Sequence, residues 1–115
     1  MADGPGFRCV VTRGADATTI EVIGELDTFT ARDLGHCVDK VVSRGDRVLV
    51  FDLSATSLMD SSGLGVLVRT HKHLRTHGGK MTLCGVRAPA RRLLEVTGLT
   101  KVFDIDDGSG NPPTI

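Results

Sequence analysis

The chain contains no tryptophan and no tyrosine, and only four phenylalanines among its 115 residues. So little aromatic surface leaves few platforms on which nucleobases can stack, which weighs against a single-strand nucleic-acid binder. Neither sign of charge is in excess: fourteen Lys and Arg balance fourteen Asp and Glu. That balance argues against nucleic acid as a direct partner, since such proteins carry a basic surface. Long apolar runs are also missing. The stretch at residues 48–51, VLVF, is far short of the roughly 20 residues that span a bilayer, so no membrane role is expected. The opening MADGPGFR lacks a basic stretch followed by an apolar one, so no secretion signal is read there.

Cysteine is scarce and unpatterned. Cys9, Cys37 and Cys84 are odd in number and widely spaced, without a CxxC or a Cys/His metal spacing. They read as reduced, mostly buried thiols of a cytoplasmic protein. His71, His73 and His77 do not make a metal site either. Residues two apart on a helix face different ways, and the pair His73 and His77 lacks a third ligand. No metal and no cofactor are expected.

What is present fits one globular domain. The length is that of a single domain, and at this size roughly two-thirds of the unfolded surface can be buried. Residues 7–13 read as a strand with Phe7, Cys9 and Val11 on one face. Residues 18–24 read as a second strand, joined to the first by a short turn as an antiparallel hairpin. Residues 27–44 read as a helix with an apolar stripe of Ala31, Leu34, Val38, Val41 and Val42, capped by Asp27 or Thr28 and stopped by Gly45. Residues 47–53 form a continuous apolar strand, the pattern of a central strand covered on both faces. A second helix spans residues 61–77 with Leu64, Leu67, Val68, His71 and Leu74 inward. A strand at 80–86, a helix at 89–97 and a strand at 101–105 complete the chain. The expected fold is α/β: a mixed, mostly parallel five-stranded sheet with an opening hairpin and at least three helices. The domain spans residues 7–106, with flexible termini at 1–6 and 107–115.

The segment Met59-Asp60-Ser61-Ser62-Gly63-Leu64-Gly65 carries the most chemistry. It leads from the carboxyl end of the apolar strand into a helix, the region where sites collect in parallel α/β sheets. Two serines at a helix start can cap it, beside unpaired backbone N–H groups that tolerate an anion. Gly63 and Gly65 remove side-chain bulk, so the face they share is expected to be low in relief. On these residues alone, a polar helix cap with small packing neighbours is favoured over a binding site.

Further stretches occur in a fixed order around it: Gly24-Glu25-Leu26-Asp27 with Thr30-Ala31, Phe51-Asp52-Leu53-Ser54, Gly78-Gly79, Arg92-Leu93-Leu94, Thr97-Gly98-Leu99 and Val102-Phe103. Together with the serine segment this set resembles the anti-sigma-factor antagonists, bacterial STAS domains, over about residues 7 to 106. The resemblance implies a regulator of transcription in stress or sporulation programmes that catalyses nothing itself. Its unphosphorylated form binds an anti-sigma factor, a serine protein kinase of the histidine-kinase-like ATPase type, and so frees a sigma factor. Phosphorylation of Ser61 ends the binding, and a phosphatase reverses it. The resemblance favours Ser61 over its neighbour Ser62. It places Asp27 near the acceptor serine, although Asp27 fits a plain cap equally well. Thr30, Leu58, Met59, Asp60, Ser62, Gly63 and Gly65 join Asp27 as the expected partner surface. By residue type alone Thr30 fits a solvated first turn, and Met59 fits the core better than Leu58 does. His71 stands where the family often has an aromatic ring.

Other classes remain in view. A serine hydrolase would need G-x-S-x-G and a placed histidine, and neither is here. A small anion- or nucleotide-binding domain would use the glycines near Ser61, but GxxxxGK[ST] is absent. A STAS module of a larger signalling complex keeps the fold and changes the partner.

Overall fold

The computed structural model describes residues 6–106, so the expected flexible termini lie, apart from Gly6, outside the described residues. The elements run β1 (Arg8–Arg13), β2 (Thr18–Leu26), α1 (Thr30–Ser43), β3 (Val48–Asp52), β4 (Thr56–Met59), α2 (Ser61–Thr76), β5 (Lys80–Cys84), α3 (Ala88–Val96), a 3₁₀ turn (Leu99–Lys101) and β6 (Asp104–Asp106). The main sheet has the order β1-β2-β3-β5-β6. β1 and β2 are antiparallel, and every other pairing is parallel. The predicted single α/β domain with its opening hairpin is therefore observed.

One strand was not expected. β2 is nine residues long and outruns β3, which pairs only with Thr18 to Glu21. The chain kinks after β3, and β4 takes over the same edge of β2 at Gly24, Glu25 and Leu26. The kink is fixed locally. The Leu53 amide donates to the Cys84 carbonyl, and the buried Thr56 hydroxyl donates to the Val22 carbonyl at 2.7 Å. Four residues of mixed polarity, TSLM, carry no strand signal of their own, so the sheet has six strands where five were predicted.

The core lies on one face of the sheet. Ile20, Val22, Leu49, Phe51, Met81 and Leu83 point into it and meet Leu34, Val38, Val41, Leu67 and Leu74 of α1 and α2. β3 is central, as predicted, but it is not equally covered on both faces. Buried Leu49 and Phe51 alternate with partly exposed Val48, Val50 and Asp52. At the edge strand β1, Cys9 and the preceding Phe7 are half-buried while Val11 is exposed. On α2 the buried face is turned from the predicted stripe: Gly63, Val66 and Thr70 are inside, and Val68 and His71 sit at its margin. His71 packs edge-on against Phe103 with ring centroids 5.5 Å apart. The last strand is shorter and later than predicted. The amides of Val102 and Phe103 turn back to the Leu99 carbonyl, which delays pairing with β5 until Asp104.

Asp46, whose side chain is only 7% exposed, ties the α1–β3 loop to the hairpin. It accepts from the Thr18 hydroxyl at 2.8 Å and from Arg13 at 2.7 Å. These two donors, Thr18 first, hold its carboxyl below the usual carboxylate range.

Candidate functional site

Two loops leave the sheet side by side. One follows Leu26 at the end of β2, and the other follows Met59 at the end of β4. The Asp60 amide donates to the Leu26 carbonyl at 3.1 Å and joins them. The helix starts of α1 and α2 thus share one end of the sheet. β4, paired with β2 at Leu26, is the neighbouring strand that brings them there.

At the start of α2 the cap is Asp60 and not a serine. Its carboxylate accepts from the Ser62 amide at 2.8 Å and the Gly63 amide at 3.3 Å. An aspartate in extended conformation is a preferred N-cap, so the sequence explains this geometry once the boundary is known. Two of the amides expected to face an anion are therefore already engaged, which leaves a nucleotide phosphate fewer donors here. Ser61, the first helical residue, is exposed. Ser62 is half-buried, and its hydroxyl meets that of Thr28 at 3.2 Å across the two loops.

Asp27 and Thr30 lock the other loop. The Asp27 carboxylate accepts from the Phe29 amide at 2.9 Å, the Thr30 amide at 3.0 Å and the Thr30 hydroxyl. The single Thr30 hydroxyl hydrogen is shared between that carboxylate and the nearer Glu25 carbonyl at 2.7 Å. Because Asp27 folds back on this turn, α1 begins at Thr30 and not at residue 27 as expected. Thr30 is thus a bonded turn residue, only partly open to solvent. Hydrogen bonds from Thr30, then from Phe29, hold the Asp27 carboxyl below its ordinary range. A depressed folded-state pKa adds stability above the unfolded carboxylate value and loses it as pH falls. The melting-temperature gap between wild type and Asp27→Ala is therefore expected to narrow as pH drops below about 4. A gap independent of pH between 7 and 3 would show that the charge is not what the turn uses.

The remaining expected residues divide. Met59 is buried and Leu58 is 45% exposed, so only Leu58 can meet a partner. Gly65 is partly exposed, and a β-carbon there would touch nothing closer than the Arg69 guanidinium at 3.6 Å. Gly63 is a correction. It is buried, and a β-carbon on it would lie 2.4 Å from Cγ of Leu26. Its small size serves helix-to-strand packing, not a low surface for a partner.

One residue was missed. Phe29 is 82% exposed, and it follows Thr28, whose hydroxyl meets Ser62. A signal existed: Phe29 lies outside the stripe of Ala31, Leu34, Val38 and Val41, so α1 cannot bury it. Exposed Phe29, Leu58 and Ser61 all lie at this end of the sheet. A cleft of about 600 Å³ between α1 and α2 is lined by Val38, Val66, Arg69 and His73 among others, and none of the expected residues borders it. His73 and His77 stack on each other at 4.2 Å. Among the described residues no three His, Cys, Asp or Glu side chains converge in a way that could hold a metal ion. Nor is any described helix long and apolar enough to cross a membrane.

Comparison with known proteins gives a consistent picture. The family model described as the STAS domain matches residues 9–111. The anti-sigma F factor antagonist of Paenibacillus polymyxa is 35% identical over 96 residues, covering 83% of this chain and 82% of that one. The anti-sigma-B factor antagonist of Listeria monocytogenes is 36% identical over 98 residues, covering 85% and 86%. Among solved structures, an anti-sigma factor antagonist from Mycobacterium paratuberculosis superposes with a TM-score of 0.80 at 29% identity, covering 99% and 92%.

Proposed function

The chain belongs to the STAS-domain family, and from that membership we propose that it is an anti-sigma-factor antagonist switched by phosphorylation of Ser61. The unphosphorylated form binds an anti-sigma factor and so releases a sigma factor. That anti-sigma factor is also the kinase, of the histidine-kinase-like ATPase type, and a phosphatase restores the binding form.

The observation that carries this reading is the contrast between the two serines. Ser61 is exposed at the start of α2, whereas Ser62 is half-buried and engaged with Thr28. A kinase must bring the acceptor hydroxyl in line with a phosphate, which an exposed helix start permits. Phosphorylation adds roughly −1.5 to −2 charges at neutral pH. That charge arrives next to the Asp60 carboxylate, at the end of the sheet that also carries exposed Phe29 and Leu58. A partner seated on those apolar side chains would have to desolvate it, so affinity falls. The fold has no reason to change, because a charge in the first turn of a helix is worth only about 0.3–1 kcal/mol, in the favourable direction.

The test is incubation of the purified protein with ATP and its anti-sigma kinase, followed by mass spectrometry and calorimetry. One phosphate is expected, on Ser61. Ser61→Ala stays unmodified and binds, while Ser61→Glu binds at least about tenfold more weakly, or 1.4 kcal/mol. The melting temperature of the phosphorylated form stays within a few degrees of wild type. Phosphate found on Ser62, with Ser61→Ala still modified, overturns the assignment.

A further inference from the structure

A second constellation lies away from Ser61. Cys9 of β1 and Cys37 of α1 both line a cleft of about 380 Å³ beside the edge strand, together with Asp33, His36, Lys40 and Arg44. Both thiols are half-buried, and each is the other's main electrostatic neighbour. They are far apart in sequence and share no motif, so only the fold pairs them. We propose that Cys9 and Cys37 form a peroxide-reactive dithiol site, with Cys37 as the attacking thiolate and Cys9 as the resolving thiol.

The surroundings assign the two roles. The neighbouring Cys9 thiol, opposed by burial and aided by the positive charges of Lys40 and Arg44, lowers the Cys37 thiol from its ordinary value. That enriches the thiolate, which is the nucleophile. Cys9 is held protonated, first by Cys37, then by burial and by the charge of Asp33. The third cysteine differs. Cys84 is raised by burial and by the carboxylates of Asp52 and Asp106, and it does not line this cleft.

The chemistry balances with a hydroperoxide as oxidant. The Cys37 sulfur attacks one oxygen of hydrogen peroxide; an S–O bond forms, the O–O bond breaks and hydroxide leaves. Sulfur is oxidised by two electrons to a sulfenic acid, and the peroxide is reduced. With its neighbour no longer a thiolate, the main cause that holds Cys9 protonated is gone. Cys9 gives its proton to the hydroxide, its sulfur attacks the Cys37 sulfur, and the sulfenic oxygen leaves as hydroxide when the S–S bond forms, taking up as water the proton that Cys37 released on ionising. Overall, two thiols and one peroxide yield one disulfide and two waters. The product would fasten the edge strand β1 to α1.

Trypsin separates the three cysteines into the peptides 9–13, 33–40 and 81–87, so the test reads each one directly. The folded protein is treated with one equivalent of hydrogen peroxide and mapped without reduction. The expected result is a cross-linked pair of peptides 9–13 and 33–40, with the 81–87 thiol intact and the link reversed by dithiothreitol. In Cys9→Ser the reaction stops at a sulfenic acid on Cys37, trapped by dimedone. In Cys37→Ser no link forms, and Cys84→Ser behaves as wild type. On untreated wild type at pH 7, iodoacetamide should label Cys37 on the order of tenfold faster than Cys84. Equal labelling of Cys37 and Cys84, or oxidation without the 9–13 to 33–40 link, overturns the proposal.

Discussion

Gly63→Leu is expected to lower stability by more than about 3 kcal/mol, and with it the melting temperature by on the order of 10–20 °C. The β-carbon alone would stand 2.4 Å from Cγ and 2.6 Å from Cδ2 of Leu26. Leu26 is fully buried at the end of β2, so it cannot swing aside into solvent. Three further carbons on a leucine have no space on that side of α2. Replacing a helical glycine normally gains about 1 kcal/mol, and that gain opposes the clash without offsetting it. A domain of this kind has about 5–15 kcal/mol in total, so the loss is a large share. Thermal unfolding of Gly63→Leu checks the value, and a double-mutant cycle checks its cause. Gly63→Ala and Leu26→Val should be coupled, the pair being more stable than the sum of the single changes predicts. A wild-type midpoint for Gly63→Leu would mean that this face is open after all, and free for a partner.

Phe29→Ala is expected to do the reverse: little to the fold and much to binding. Phe29 is 82% exposed, so truncating it removes almost no core contact and should change stability by less than about 0.5 kcal/mol. If the anti-sigma factor seats on the loops around Ser61, the ring is the largest apolar group there for it to cover. Aromatic anchors at the centre of an interface cost about 2 kcal/mol or more when truncated, or roughly 30-fold in Kd. Calorimetry against the anti-sigma factor, alongside thermal melting, separates the two quantities. Leu58→Ala, at 45% exposure, should follow in the same direction with a smaller effect. Unchanged affinity in both variants would place the partner elsewhere on the domain.

These two residues also mark where reading the sequence succeeds and where it fails. The hairpin, the central VLVF strand, the three helices and the start of α2 near Ser61 were all legible, because each carries a local signal. Apolar spacing identifies α1, and Gly14 with Ala17 marks the tight turn between β1 and β2. The sequence puts Met59 in the partner surface, though as the more inward of Leu58 and Met59, and its burial removes it from that surface. β4 was not legible. Its four residues form a strand only because β2 extends past β3 and offers an unpaired edge.

Within the site, the sequence by itself determined the chemistry at hand: a serine pair at a helix start, carboxylates at both loops, and small residues behind them. Those depend on residue type and on neighbours within a turn. The tertiary structure alone decided which of them act together. The β2–β4 pairing, the Asp60 amide on the Leu26 carbonyl and the Ser62 hydroxyl against Thr28 bring the two loops into one surface. Only the packing of α2 on β2 turns Gly63 from a surface residue into a buried one. Cys9 and Cys37 likewise share a cleft because α1 folds back beside the edge strand. Contacts between distant segments are set by the global packing minimum, and periodicity along the chain reports only which face of an element turns inward.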